Sequence, residues 1–175
     1  MLNKKILVGL VAVAISGSAL ADGFYAGAGL GGSYFRDNGV GTSNFGGIGE
    51  VYGGYAWNFA NKINLGLEPF ANFASTDNNY NYGFRVVPGY QITPDTSAHL
   101  LAGFVRGHFN NGNDVSANEK YFSNGYQAGV GAETNLMKNV ALRGDVTFND
   151  YLQDLTTNNS RYAINGIASL NYKFG

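Results

Sequence analysis

The stretch from Tyr126 to Asp150 constrains the fold more than any other part of this sequence. Apolar and polar residues alternate through two runs of about ten residues each, which is the periodicity of β-strands. A short turn, Met137 to Asn139, separates the two runs. Strands of soluble sheets usually have about five or six residues, whereas a tilted strand that crosses a membrane needs about 9–11. The stretch therefore predicts a membrane-spanning hairpin, with its apolar face toward lipid and its charged, glycine-rich face toward a barrel interior.

Composition favours a membrane barrel as well. The chain of 175 residues has 26 glycines and 14% aromatic residues but only 13% charged residues, whereas soluble proteins have about 25% charged residues. The mean hydropathy of -0.13 is too low for a bundle of membrane-spanning helices. With no cysteine and two histidines, we expect no disulfide, no metal site and no cofactor. The net charge of -1 argues against a nucleic-acid partner.

The N-terminus predicts a signal peptide. Met1–Lys5 is basic, Ile6–Ile15 is apolar, and Ala19-Leu20-Ala21 fits an A-x-A cleavage site. The apolar run is shorter than the roughly 20 residues that a membrane-spanning helix requires. We therefore expect a signal peptide over residues 1–21 and a barrel domain over residues 22–175, exported to the cell outer membrane of a Gram-negative bacterium.

Alternation in the remaining sequence predicts eight strands in total. They are Phe24–Phe35, Phe45–Trp57, Ile63–Phe73, Asn79–Ile92, Ser97–Phe109, Tyr121–Leu136, Val140–Tyr151 and Arg161–Phe174. Aromatic residues concentrate near the strand ends, where they would form the two interfacial girdles of a membrane barrel. A soluble lipocalin-like barrel would have the opposite polarity. The predicted fold is all-β, a monomeric, transmembrane, 8-stranded antiparallel up-and-down β-barrel.

The connections between these strands predict the orientation of the barrel. Four are long and polar, namely residues 36–44, 74–78, 110–120 and 152–160, and three are short, namely 58–62, 93–96 and 137–139. Long and short connections alternate, as expected of external loops and periplasmic turns.

Two features fit the predicted barrel poorly. Pro69 and Pro88 lie inside strands and lack the N–H that a closed barrel would use, so we expect a bulge or kink at each. The fifth strand is ambiguous, because placing Arg106 inside also places Leu100 and Phe104 inside and His99 and Leu101 outside. A shift of register in this strand is therefore an open alternative.

Four segments carry a resemblance to a known family: GFYAGAGLGGSY, INLGLEPFANF, AGVGAETNLMKNVALRGDVTF and the terminal LNYKF. They resemble the small outer-membrane β-barrels that include the OmpA membrane domain and the opacity-type surface porins. The resemblance covers residues 22–175 and implies fold and location more than activity. It also implies insertion by the barrel-assembly machinery, which reads a terminal aromatic residue. Here Phe174 is followed by Gly175.

Eight charged side chains are predicted to face the barrel interior. They are Glu50, Glu68, Arg85, Arg106, Glu133, Arg143, Asp145 and Lys173. Four acids would then oppose four bases, and pairing offsets the cost of burying charge in a narrow interior. Glu133 with Arg143, and Glu68 with Arg85, are expected to be cross-strand neighbours. Gly27, Gly29, Gly31, Gly129 and Gly131 would make room for the long side chains. The pattern predicts a plugged interior, with a gated polar pathway resembling that of OmpA-type barrels as the alternative.

The expected role is structural, with a surface interaction of the adhesion or opacity type. The loops are rich in Asn, Asp, Gly, Ser and Thr, which suits contact with lipopolysaccharide and with a host or phage ligand. They lack the spacing of an EF-hand. The first alternative is a narrow porin for ions or small solutes.

An outer-membrane lipid-modifying hydrolase is the second alternative, because His108 with Ser123 or Asn110 and Glu119 or Glu133 resembles the lipid A deacylase barrels. Such an enzyme needs a nucleophile positioned on an oriented base. The GHFNNGN sequence has asparagine where those barrels have serine, so we expect no enzymatic activity and no catalytic residues.

Overall fold

The structure is a computed structural model that describes residues 23–38, 41–59, 62–75, 78–109, 121–152 and 160–174. The expected signal peptide and its cleavage site lie outside the described residues. So does the whole of segment 110–120 and most of segment 152–160. The described part contains no helix that is long and apolar enough to cross a membrane.

Eight antiparallel strands close into a single barrel, which confirms the predicted fold class. The strands are β1 (Phe24–Asp37), β2 (Thr42–Phe59), β3 (Ile63–Ala74), β4 (Asn78–Gln91), β5 (Thr96–Phe109), β6 (Tyr121–Met137), β7 (Val140–Tyr151) and β8 (Arg161–Phe174). Consecutive strands are neighbours, and β8 pairs with β1 to close the sheet. Both β7 and β8 have the predicted bounds, and the other strands differ from prediction by a few residues.

Residue alternation determines the two faces of the wall. Along β7, buried and outward-facing residues alternate from Ala141 to Tyr151. Leu142, Val146 and Phe148 face outward and are 44–55% exposed. Arg143, Asp145, Thr147 and Asn149 of the same strand face inward and are buried, as expected of a barrel with a polar interior and a lipid-facing outer wall.

The two ends of the barrel differ in their connections. We call the end that carries residues 38–41, 75–77, 110–120 and 152–160 the loop end, and the opposite end, which carries residues 60–62, 92–95 and 138–139, the turn end. Only the third and fourth connections of the loop end are long, so the expected strict alternation of long and short connections is wrong. In β1 and β2, polar residues that suggested a loop continue the ladder, with Asp37 paired to Thr42.

The two prolines do not produce the expected bulges. The pairing of β3 with β4 runs through Pro69 and Pro88 without a change of register. On the other side of each proline, two residues of the ladder are interrupted and the same register then resumes. Each proline side chain faces outward. The missing N–H therefore affects the pairing with one neighbouring strand only, and the register of the sheet is unchanged.

Strand β5 has the opposite facing from the one expected. Arg106 faces outward and is exposed, whereas His99 and Leu101 face inward and are buried. Gly103 lies beside the buried Arg85 in the β4–β5 register. A methyl group on Gly103 would come within 2.7 Å of Arg85 Cβ, so the interior at this point accepts only glycine. This requirement sets the facing of the whole strand and places Arg106 outside.

Candidate functional site

A continuous set of charged side chains fills the middle of the barrel interior. We call it the charged layer, and it consists of Glu50, Glu68, Arg85, Arg143, Asp145 and His99. Their side chains are at most 6% exposed. Five strands contribute: β2, β3, β4, β5 and β7.

Arg85 is the first link of the charged layer. Its Nη2 and Nη1 donate to the two carboxylate oxygens of Glu50 at 2.9 and 3.1 Å. Its Nε donates to Glu68 Oε1, and Nη1 also donates to Gln127 Oε1 at 3.3 Å. The guanidinium lies 4.7 Å from the Phe70 ring centre. Bidentate pairing and ring stacking are the arrangements that suit a buried arginine.

Glu68 joins this link to a second one. Its carboxylate also accepts from Arg143 Nη1 and Nη2 at 2.7 and 3.4 Å. Arg143 Nε donates to Asp145 Oδ2 at 2.8 Å, and Asp145 Oδ1 lies 2.7 Å from His99 Nε2. Glu68 thus stabilises two arginines at once, which makes it the centre of the charged layer.

The structure separates the predicted interior charges into three groups. Five of them form the charged layer with His99. Glu133 and Lys173 form their own ion pair of 2.6 Å at the turn end, with side chains 13% and 42% exposed. Arg106 lies on the outer wall. Glu133 is adjacent to Arg143 in the β6–β7 register, as expected, yet its carboxylate is bonded to Lys173 and Asn171.

Sequence reasoning missed His99, Gln127 and the rings that cover the arginines. Arg143 lies 4.7 Å from the Tyr52 ring centre, and Gln127 connects Arg85 to Asn149. The expected inward position of Arg106 implies an outward His99, whereas the structure has the reverse. No periodicity in the sequence identifies His99 as an interior residue, which shares the inner face of β5 with Gly103 beside Arg85.

A cluster of mostly aromatic residues lies for the larger part between the charged layer and the loop end, with Tyr52 beside Arg143 of the charged layer. We call it the aromatic layer, and it consists of Phe35, Tyr52, Phe70, Val105, Phe109, Tyr151 and Ala163. The Phe109 ring centre lies 5.6 Å from that of Phe35 and 4.9 Å from that of Tyr151. Beyond it, Arg161 Nε donates to Asp37 Oδ2 and joins β8 to β1. Two layers of different chemistry therefore occupy the interior.

A cavity with both polar and apolar lining opens at the turn end. Its volume is about 200 Å³, and its lining includes Tyr25, Asn64, His99, Arg143 and Lys173. It reaches the charged layer at His99 and Arg143. A solute that enters from this end meets the charged layer first.

Gly131 makes the room that the Asp145–His99 pair occupies. A methyl group on Gly131 would lie 2.0 Å from Asp145 Oδ1 and 2.4 Å from His99 Nε2. We expect Gly131→Ala to lower the free energy of unfolding by about 1–3 kcal/mol because it overpacks the interior. Urea titration of the refolded protein in lipid vesicles measures this change. Gly144→Ala is the matched control, because a methyl group there meets nothing within 4 Å. Equal stability of the two variants would contradict the role given to Gly131.

The hydrolase candidates do not assemble into a site. His108 faces outward, stacked on Tyr80 at 4.5 Å between ring centres, whereas Ser123 lies on the other face of the wall and donates to the Leu152 carbonyl at 2.9 Å. Glu133 lies at the opposite end of the barrel. Asn110 and Glu119 lie outside the described residues. Within the described ranges, no group of three or more His, Asp or Glu side chains is arranged to hold a metal ion.

Fold and interior together define a class: a small transmembrane β-barrel with an apolar outer wall and a charged interior. The sequence matches the family described as the outer membrane protein beta-barrel domain over residues 6–174. The chain belongs to this family, and its location is the outer membrane.

Solved structures share the fold. Neisserial surface protein A matches with a TM-score of 0.64 and 16% identity, over 87% of this chain and 98% of that one. Ail, the attachment invasion locus protein of Yersinia pestis, matches with 0.51 and 13%, over 87% and 100%. The N-terminal barrel of Pseudomonas aeruginosa OprF matches with 0.52 and 9%, over 83% and 97%. A search of curated proteins by sequence found no match.

Proposed function

We propose that this protein is a structural and surface-interaction protein of the outer membrane, of the adhesion or opacity type. The observation that carries the proposal is the set of buried charged and aromatic side chains that occupy the barrel interior. A lumen filled by the charged layer and the aromatic layer leaves no route for solutes, so the segments at the loop end become the place for recognition. We also propose that the barrel is a monomer, that outer-membrane lipid and lipopolysaccharide surround it, and that the barrel-assembly machinery inserts it.

The negative charge of the loop segments indicates which class of ligand they can bind. Segments 110–120 and 152–160 contain Asp114, Glu119 and Asp154 against Lys120. One structure of the similarly folded Ail holds the heparin analogue sucrose octasulfate. An acidic set of loop segments repels such a polysulfate. We therefore propose a host or phage surface protein as the ligand, rather than a heparin-like polymer.

Replacing residues 111–120 by a short Gly-Ser linker tests the proposal. We expect the barrel to fold unchanged, because these residues lie between two complete strands, while adhesion to host cells or phage sensitivity falls. Folding is followed by heat-modifiable gel migration and adhesion by counting attached bacteria. A linker replacement of the turn at Lys138 and Asn139 is the control, since it alters the periplasmic side only. If adhesion and phage sensitivity survive removal of every loop-end segment, surface recognition is not the function.

A narrow pore remains the second candidate because the turn-end cavity reaches Arg143. We propose that it does not conduct, since the aromatic layer lies beyond the charged layer. A hydrolytic function is third, and the separation of His108, Ser123 and Glu133 argues against it.

A further inference from the structure

Arg106 places a cation on the wall that faces lipid. Arg106 is exposed on the outer face of β5, and its register partners Tyr82 and Asn124 also face outward and are exposed. Among the described residues, Arg106 forms no ion pair with a carboxylate. A cation on the lipid face costs about 2–4 kcal/mol at the bilayer midplane and close to zero near the interface.

Two rows of rings show at which level Arg106 lies. Toward the turn end, the ring centres of Phe84 and Tyr126 lie 5.5 and 5.3 Å from that of Phe104. Toward the loop end, His108 is sandwiched between Tyr80 and Phe122, at 4.5 and 5.1 Å. Amphipathic rings concentrate at the level of the headgroups. Arg106 therefore lies between the acyl chains and the headgroups, on the loop-end side.

The guanidinium is held in place while its donors stay available. Its central carbon lies 4.8 Å from the Phe122 ring centre, which orients the group. His108 is 5% exposed, and its Nδ1 is buried without a hydrogen-bond partner among the described residues. The Arg106 guanidinium and His108 Nδ1, neighbours on the outer wall, thus have no hydrogen-bond partner among the described residues.

We propose that this patch, defined by Tyr80, Arg106, His108 and Phe122, binds a phosphorylated glycolipid of the outer leaflet. Arg106 would donate its paired N–H groups to a phosphate, since a guanidinium matches phosphate oxygens in a bidentate way. The acyl chains would lie along the ring row of Phe104. A lipid suits this position better than a soluble anion, because the patch lies on the membrane-facing wall and not in a cavity.

Arg36 provides a matched comparison on the opposite side of the barrel. It also faces outward near the loop end and is exposed. Its register partner Tyr162 is in turn paired with Asp150, so a carboxylate lies two strands away in the same row. The described row of Arg36 thus contains a carboxylate, whereas the register partners of Arg106, Tyr82 and Asn124, are uncharged.

The test uses full barrels in phosphatidylcholine nanodiscs that contain bisphosphorylated lipid A, with retained lipid counted by native mass spectrometry. We expect Arg106→Ala to lower lipid A retention by about tenfold, the size of one charge-assisted bidentate contact. Arg106→Lys should retain an intermediate amount, because it keeps the charge but loses the planar pair of donors. Arg36→Ala should retain as much as the unaltered protein.

Several results would overturn the proposal. Unchanged retention by both Arg106 variants would remove the site, and an equal loss with Arg36→Ala would show general charge attraction. Equal retention of dephosphorylated lipid A would show acyl contact alone, and displacement by millimolar inorganic phosphate would show a site for the free ion. Heat-modifiable migration checks that each variant is folded. The loop replacement described above leaves Arg106 untouched, so failure of surface recognition and failure of this lipid site are distinguishable.

Discussion

Replacing Glu68 by Gln is expected to lower the free energy of unfolding by about 3–5 kcal/mol, before water entering the barrel relieves part of the loss. Glu68 is fully buried and accepts hydrogen bonds from both Arg85 and Arg143. The substitution keeps the size of the side chain but leaves two guanidinium groups with less negative charge in a dry interior. Urea unfolding of the refolded barrel in lipid vesicles, followed by the heat-modifiable band, measures the effect.

Glu133→Gln is the control for this prediction, because it is the same chemical change at another interior ion pair. Glu133 is paired with Lys173, whose side chain is 42% exposed. Water therefore screens this pair, and the expected loss is below about 1 kcal/mol. If the two variants lose equal stability, or if Glu68→Gln is neutral, the charged layer does not hold the barrel together.

Ion conductance is expected to rise only when side chains are removed from both interior layers. The first variant removes the Glu50–Arg85 pair as Glu50→Ala with Arg85→Ala, which leaves the net charge unchanged. The second removes the aromatic layer's outer rings as Phe109→Ala with Tyr151→Ala. Two barriers in series limit ion flow separately, so each variant alone should stay closed. The combination should raise conductance by at least about tenfold, because apolar constrictions block ions by excluding water.

Planar-bilayer recording of the four proteins measures this effect, with the unaltered barrel as the reference. Gly144→Ala serves as a barrel-wall control that touches neither layer. Large, stable channels in the unaltered protein would reverse the proposed function in favour of the narrow porin. Opening by the Glu50–Arg85 variant alone would show that the aromatic layer is not a barrier.

Strict alternation allowed β7 and β8 to be predicted with their observed bounds. In β5 the same method failed, because Leu100 and Phe104 on one face and Leu101 and Val105 on the other are equally apolar. Alternation alone gives no preferred facing there. Which face of β5 points inward depends on the close approach of Gly103 to Arg85. This approach is a contact between strands and not a periodicity.

Charge pairing was less predictable than register. Glu68 and Arg85 are neighbours and form a pair, as expected. Glu133 and Arg143 are also neighbours, yet Arg143 extends to Glu68 on β3. In a barrel of eight strands, side chains from opposite walls meet at the axis. A long arginine therefore reaches a distant strand as easily as an adjacent one, and no spacing in the sequence records that choice.

The pairing of β1 with β8 has a consequence for the order of assembly. All other neighbouring strands are joined by hairpins, whose ends are close along the chain. The seam instead joins Phe24 to Phe174 and Asp37 to Arg161. Bringing such distant segments together carries the largest loop-closure entropy of any pairing in the barrel. Hairpins can therefore form early. The β1–β8 pairing can form only after the last strand has been synthesised and lies beside the first. The Asp37–Arg161 ion pair then stabilises the β1–β8 pairing. Its two residues become neighbours only when the sheet closes.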